Sequence, residues 1–189
     1  MNEFRFEDDG VITIRKYKPV DCAAMAKLFY DTVHTINAMD YTKEQLNVWA
    51  KESVDLEAWN ISFLNHNTLI AEINGEIVGF ADMDNAGYLD ILYVHKDFQR
   101  RGIAAALVNE LERCAKEAGI SSFKTYASIT ARPFFEKQGY IVEEENSIIR
   151  EGITLVNYKM VKYLKRMAQL GIQICKVEVM KWQCTNLES

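Results

Sequence analysis

Residues 88–111 read YLDILYVHKDFQRRGIAAALVNEL, and within them the chain changes its period. Tyr88 to Val94 is a short run of aromatic and aliphatic residues, with the length and composition of a strand. From Ile103 onward the apolar residues Ile103, Ala106, Leu107 and Leu111 recur at helical spacing. The switch falls at Gln99-Arg100-Arg101-Gly102, where a strand must turn into a helix. The first N–H groups of a helix have no intrahelical acceptor and lie at the positive end of its dipole, so an anion fits there. Gly102 has no side chain to hold a ligand away, Ala104 is nearly as small, and Arg100 and Arg101 add positive charge. A pyrophosphate seated on Gln99, Arg100, Arg101, Gly102, Ile103, Ala104 and Ala105 is the functional reading. An ordinary turn with solvated arginines has the same pattern.

Strand, Gln99-x-x-Gly102-x-Ala104, then helix resembles the coenzyme A signature of the GNAT acetyltransferase superfamily. A second segment, Ala131-Arg132-Pro133-Phe134-Phe135-Glu136-Lys137-Gln138-Gly139-Tyr140, resembles that family's A-x-x-F-Y-E-K-x-G-F segment. The resemblance covers about residues 11 to 161 and is similar in particular to YafP-like members. It implies an α+β fold whose mixed, mostly antiparallel sheet of about seven strands is flanked by helices. The sheet is expected to splay between its fourth and fifth strands, Tyr88–Val94 and Ser122–Ala127. Residues 1–161 form the domain, with 1–10 loose, and 162–189 form an extension of unassigned role.

The same resemblance implies acetyl-CoA as cofactor and a small-molecule or peptide amine as acceptor, acetylated by direct transfer. A bulge is expected near Leu92 to Val94, with the pantetheine arm entering the gap as an extra strand. Main-chain groups of Leu92 and Val94 would pair with that arm, with Tyr93 between them also at the cofactor, and the Val94 N–H would polarise the thioester carbonyl. Ser128 stands where many relatives have an asparagine that contacts pantetheine, and Phe134, Phe135 and Lys137 belong to the second cofactor motif and are expected at the cofactor. The family's frequent general-acid tyrosine falls on Phe135, which has no proton to give, so the thiolate is protonated by water, by another tyrosine such as Tyr93 or Tyr126, or without assistance. The region between the first two strands forms one wall of the acceptor pocket in relatives, and here it carries His34, Tyr41 and Trp49. Each of these is also ordinary core material.

Acetyl transfer needs a stabilised oxyanion, a deprotonated amine and a proton for the leaving thiolate. An alkyl ammonium has a reference pKa of about 10.4, so a base is needed. Asp90 is the candidate: an acid in an otherwise apolar strand, where burial would raise its pKa toward a useful range. It serves equally well as a structural acid bonded to a nearby turn or helix. A CoA-binding sensor without effective catalysis is the alternative function, and Phe135 makes that reading reasonable.

Composition bounds the rest. The chain has 189 residues, 49% hydrophobic and 26% charged, which suits one soluble globular domain. A formal net charge of −5 argues against a general nucleic-acid binder. Cys22, Cys114, Cys175 and Cys184 lack metal or redox spacing, and His34, His66 and His95 form no ligand motif, so no metal is expected. No apolar stretch is long enough to span a bilayer and the first residues are acidic, so the expected location is the cytoplasm and no membrane partner is expected. A homodimer in which the C-terminal extension pairs with a neighbour's sheet is compatible with the sequence.

Local signals place the remaining elements. Pro19 opens a helix running to about Ala38, Thr42 with Gln45 fits a capping box, and Leu56 to Leu64 continues helical. Asn74-Gly75 marks a hairpin, and Gly79 in its second arm marks a bulge or a close approach of backbone. Gly119 ends the helix after Gly102, Thr130 caps the helix of Ala131–Gln138, and Tyr140–Glu144 with Ile153–Val161 make a final hairpin.

Overall fold

The apolar runs pair into one sheet: β1 (Asn2–Arg5), β2 (Val11–Lys16), β3 (Asn67–Ile73), β4 (Glu76–Met83), β5 (Tyr88–Val94), β6 (Ser122–Ser128), β7 (Ile141–Arg150) and β8 (Ile153–Tyr163), ordered β1-β2-β3-β4-β5-β6-β8-β7. The computed structural model describes residues 2–5 and 11–164. The stretch left unassigned in the sequence, with Cys175 and Cys184, lies outside them from residue 165 onward. Every neighbouring pair runs antiparallel except β5 and β6, which are parallel because a helix returns the chain between them. The additional strand is β1, which occupies part of the supposedly loose 1–10 and pairs with β2 from Asn2 opposite Ile14 to Arg5 opposite Val11.

Helices cover both faces, which is why the central strands read as almost continuous apolar runs. On one face lie α1 (Cys22–Thr35), α2 (Lys43–Trp49) and α3 (Leu56–Asn65), and Met25, Phe29, Phe63, Ile70 and Phe80 pack there. On the other lies α4 (Ile103–Glu117) with the short α5 (Arg132–Lys137), over Ile14, Ala71, Met83, Leu89, Leu107 and Leu111. Period-two alternation along β3 sends Leu69, Ala71 and Ile73 to α4 and Ile70 to α1. The Thr42–Gln45 capping box is closed in both directions, and Asn74 and Gly75 turn left-handed between β3 and β4. Both readings of Gly79 hold. The β3–β4 register slips beside it, and a Cβ there would lie 3.0 Å from the Ile103 side chain and 3.1 Å from the Tyr93 carbonyl oxygen. Its missing side chain is what lets the first turn of α4 settle on the sheet.

Two boundaries differ from the sequence reading. The last hairpin has longer arms, turning at Glu151-Gly152, because β7 is an edge strand exposed along nearly its whole length and carries no apolar alternation to reveal it. Thr130 does not cap α5. Its hydroxyl donates to Asp40 at 2.7 Å, and Ser128 Oγ instead accepts the Ala131 N–H at 3.1 Å.

Candidate active site

β5 and β6 pair only at Tyr88 with Lys124 and Leu89 with Thr125, after which they part. This is the expected splay. The irregularity in β5 lies earlier than expected, however: Ile91 faces Asp82 and Leu89 faces Met83, so Asp90 is the unmatched residue, and Leu92 to Val94 keep regular register with Ala81 to Gly79. The bulge and the parting of the strands leave Asp90 exposed, which removes the burial expected of it. Its Oδ1 accepts a hydrogen bond from the Tyr88 hydroxyl at 2.9 Å.

Main-chain direction in β5 follows by alternation. The His95 N–H donates to the Val78 carbonyl on β4, so the amide groups of Val94 and Leu92 point the opposite way, into the gap that β6 does not fill. The Val94 carbonyl is held there by the Thr32 hydroxyl at 3.1 Å and by the Gln99 side-chain amide at 2.6 Å. Gln99 thus ties the end of the strand to the loop that begins α4.

That loop prepares an anion site. Arg100 and Gly102 both take left-handed angles, φ 61° and 77°, costly for arginine and ordinary for glycine. Gly102 is the N-cap of α4 and offers no side-chain cap, and the first turn holds no acid. The Ala106 N–H is the first to reach an acceptor within the helix, the Gly102 carbonyl at 2.9 Å, so the helix offers none to Ile103, Ala104 or Ala105. Uncapped amides beside a glycine, with Arg100 exposed and Arg101 over the Phe98 ring at 4.9 Å, fit a diphosphate. The unfilled strand gap fits an extended arm carrying amides of its own.

On the far side of the gap a cavity of about 440 Å³ opens. Tyr41, Trp49, Tyr93, Tyr126 and Ser128 line it, as does Asp90. Tyr41 forms wall rather than donor: its hydroxyl is spent donating to the Val156 carbonyl at 2.7 Å and accepting the Ile129 N–H at 2.9 Å, and its ring meets Trp49 edge-on at 5.0 Å. Burial pushes the Tyr93 hydroxyl well above its usual pKa, against a side-chain hydrogen bond from Trp49 that lowers it, so Tyr93 keeps its proton at neutral pH. Tyr126 is 40% exposed, with its ring edge-on to Tyr88.

Two expected site residues lie elsewhere. His34 is not in the cavity wall; its Nε2 pairs with the Ala50 carbonyl at 2.9 Å and its ring lies against Tyr30, bracing α1 on the end of α2. Phe135 is 2% exposed, packed on Tyr140 within the core, and has no surface to offer a cofactor; its neighbour Phe134 is only partly buried, and Lys137 is exposed. Nearly half of the wall was not read from the sequence at all. Asn146, Ile148 and Arg150 of β7 and Leu155 and Asn157 of β8 complete the cavity, and only the long register of that hairpin brings them there.

Comparison with known proteins agrees with this geometry. Residues 37–162 match the family model described as an acetyltransferase (GNAT) domain. The uncharacterized N-acetyltransferase YafP of Escherichia coli strain K12 is 30% identical over 149 residues, 79% of this chain and 94% of that protein. A GCN5-related N-acetyltransferase from Rhodopseudomonas palustris superimposes with a TM-score of 0.78 at 32% identity, covering 85% of this chain and 99% of that one. The PaiA N-acetyltransferase of Thermoplasma acidophilum, crystallised with coenzyme A, shares the fold at a TM-score of 0.68 and 21% identity, over 80% of this chain and 98% of its own.

Proposed function

Because this chain belongs to the GNAT acetyltransferase family, an enzyme family whose acetyl donor is acetyl-CoA, we propose that it transfers acetyl directly to a primary amine bound in the cavity beside the parted strands. The observation that carries this reading is the coincidence of three features at one place: uncapped amides at the start of α4, unfilled main-chain groups on β5, and a polar cavity opening on the same gap.

Acetyl-CoA, when bound, supplies an acetyl group activated as a thioester. The amides of Ile103, Ala104 and Ala105 would hold its diphosphate, Leu92 and Val94 would pair with its pantetheine, and Ser128, whose Oγ already accepts from Ala131, still has a proton to donate. The Val94 N–H stabilises negative charge on the carbonyl oxygen. Asp90 draws the acceptor's ammonium to the gap, where the ammonium gives up a proton to solvent. The nitrogen forms its bond to the acetyl carbon as the carbon–sulfur bond breaks. Of the two protons the ammonium sheds, one leaves to water and the equivalent of the other restores the thiol through Tyr126, which is reprotonated from solvent. Tyr93, holding its proton tightly, lines the site and is no source of a proton for the thiolate. No helix among the described residues is long and apolar enough to cross a membrane.

The test is thiol release from acetyl-CoA across a library of primary amines. Amine-dependent release is expected. Tight binding of acetyl-CoA with no release over the whole library and several pH values would replace this reading with a cofactor-binding sensor.

A further inference from the structure

Two ionised side chains of opposite sign stand in the wall of the cavity. Among its described lining residues only Asp90 and Arg150 are charged at neutral pH. Asp90 comes from the bulge of β5 and Arg150 from the last position of β7. Both lie close enough to act on the Tyr93 hydroxyl, whose pKa Arg150 draws down and Asp90 pushes up. Tyr88 fixes one carboxylate oxygen of Asp90 at 2.9 Å and leaves the other. The Arg150 guanidinium reaches the Trp49 carbonyl at 3.5 Å with one nitrogen, which leaves a planar fork of donors suited to a carboxylate. Four residues back along β7, also in the cavity wall, Asn146 donates to Asn157 at 2.9 Å, a pair of amides whose remaining groups can both donate and accept. The cavity is of a size that takes small metabolites rather than a folded protein surface.

Resting on the N-acetyltransferase reading above, we propose that the acceptor is a small zwitterion, an amine that also bears a carboxylate as free amino acids do, with its ammonium drawn to Asp90 and its carboxylate clasped by Arg150. The two charges fix which end of the acceptor enters the gap. An amine bound the other way would set its carboxylate against Asp90 and its ammonium against Arg150, and both contacts repel.

The experiment compares matched acceptors: a panel of free amino acids, their carboxamides and the corresponding decarboxylated amines. Thiol release from acetyl-CoA is followed, with kcat/KM referred to the unprotonated amine. The preferred amino acid is expected to exceed its carboxamide by about tenfold or more, the value of a charge-assisted pair lost. Arg150→Gln is expected to collapse that acid-to-amide ratio to about one, and Arg150→Lys to keep part of it. Circular dichroism of both variants checks that the hairpin is intact. Carboxamides or simple amines as good as the acids in the wild type overturn the inference while leaving amine acetylation in place, and so does an unchanged ratio in folded Arg150→Gln. Thiol release with no amine of any kind overturns the transferase reading and this one together.

Discussion

The two edges of β6 have opposite fates. Toward β8 every residue from Ser122 to Ser128 finds a partner; toward β5 only Lys124 and Thr125 do. The closed edge is backed by buried Phe123 and Met160 and by an ionic clasp, in which Glu112 of α4, 2% exposed, receives Lys162 at 2.7 Å and the Tyr140 hydroxyl at 3.2 Å. The open edge presents tyrosines and main-chain groups instead. Unpaired strand edges are ordinarily covered or blunted. Here one edge stays open because the other holds β6 in place, and stability and binding are divided between the two sides of a single strand.

Substitutions on each side should separate those roles. The largest effect is expected on the closed edge: Glu112→Ala strands the Lys162 ammonium and should lower unfolding free energy by on the order of 3–5 kcal/mol. Urea titration measures this, and acetyl-CoA affinity of the folded protein should stay within about threefold. A large loss of affinity with little loss of stability would erase the division. On the open edge, Gly102→Glu puts a side chain and a negative charge where we propose the diphosphate is held, and should weaken acetyl-CoA roughly 100- to 1,000-fold by calorimetry. Unchanged affinity there removes the cradle from the site.

Smaller effects sharpen the picture within the open edge. Tyr126→Phe should reduce kcat by about 100-fold with KM for acetyl-CoA nearly constant, the low end of what a positioned proton donor supplies. An unaltered kcat passes that role to water. Asp90→Asn should cost about tenfold in kcat/KM, chiefly through KM for the amine, since an exposed carboxylate attracts a cation more than it abstracts a proton. A loss confined to kcat and deepening at low pH would restore Asp90 as a base.

Legibility in the sequence followed the range of the forces involved. The capping box at Thr42 and Gln45, the turn at Asn74-Gly75 and the helix start at Gly102 are set by residues three or four apart, and each stands where the sequence puts it. The apolar period of α4 likewise survives intact, as Ile103, Leu107 and Leu111 are all buried. Asp90 misled because its strand looks uniformly apolar, while its exposure comes from a register slip and a missing neighbour, neither of which is local. Phe135 and His34 were assigned by position in a pattern, and packing with Tyr140 and with Ala50 decided them otherwise. Arg150 and Asn146 could not be seen at all, since β7 lacks a buried face and reaches the cavity only through its pairing with β8. The one signal was Glu151-Gly152, a turn dipeptide that would have lengthened the hairpin.

The side chain that Gly79 lacks would press on Ile103 and on the Tyr93 carbonyl, so its bare Cα sets the height of α4 above β5. If, as we propose, the helix start takes one end of a long flexible molecule and the strand gap takes its other end, that height works as a gauge to which the molecule's length must match. A methyl added there would ask the Ile103 side chain and the Tyr93 carbonyl to give by a few tenths of an ångström, and a donor held at both ends would feel that change of reach with every contact residue intact.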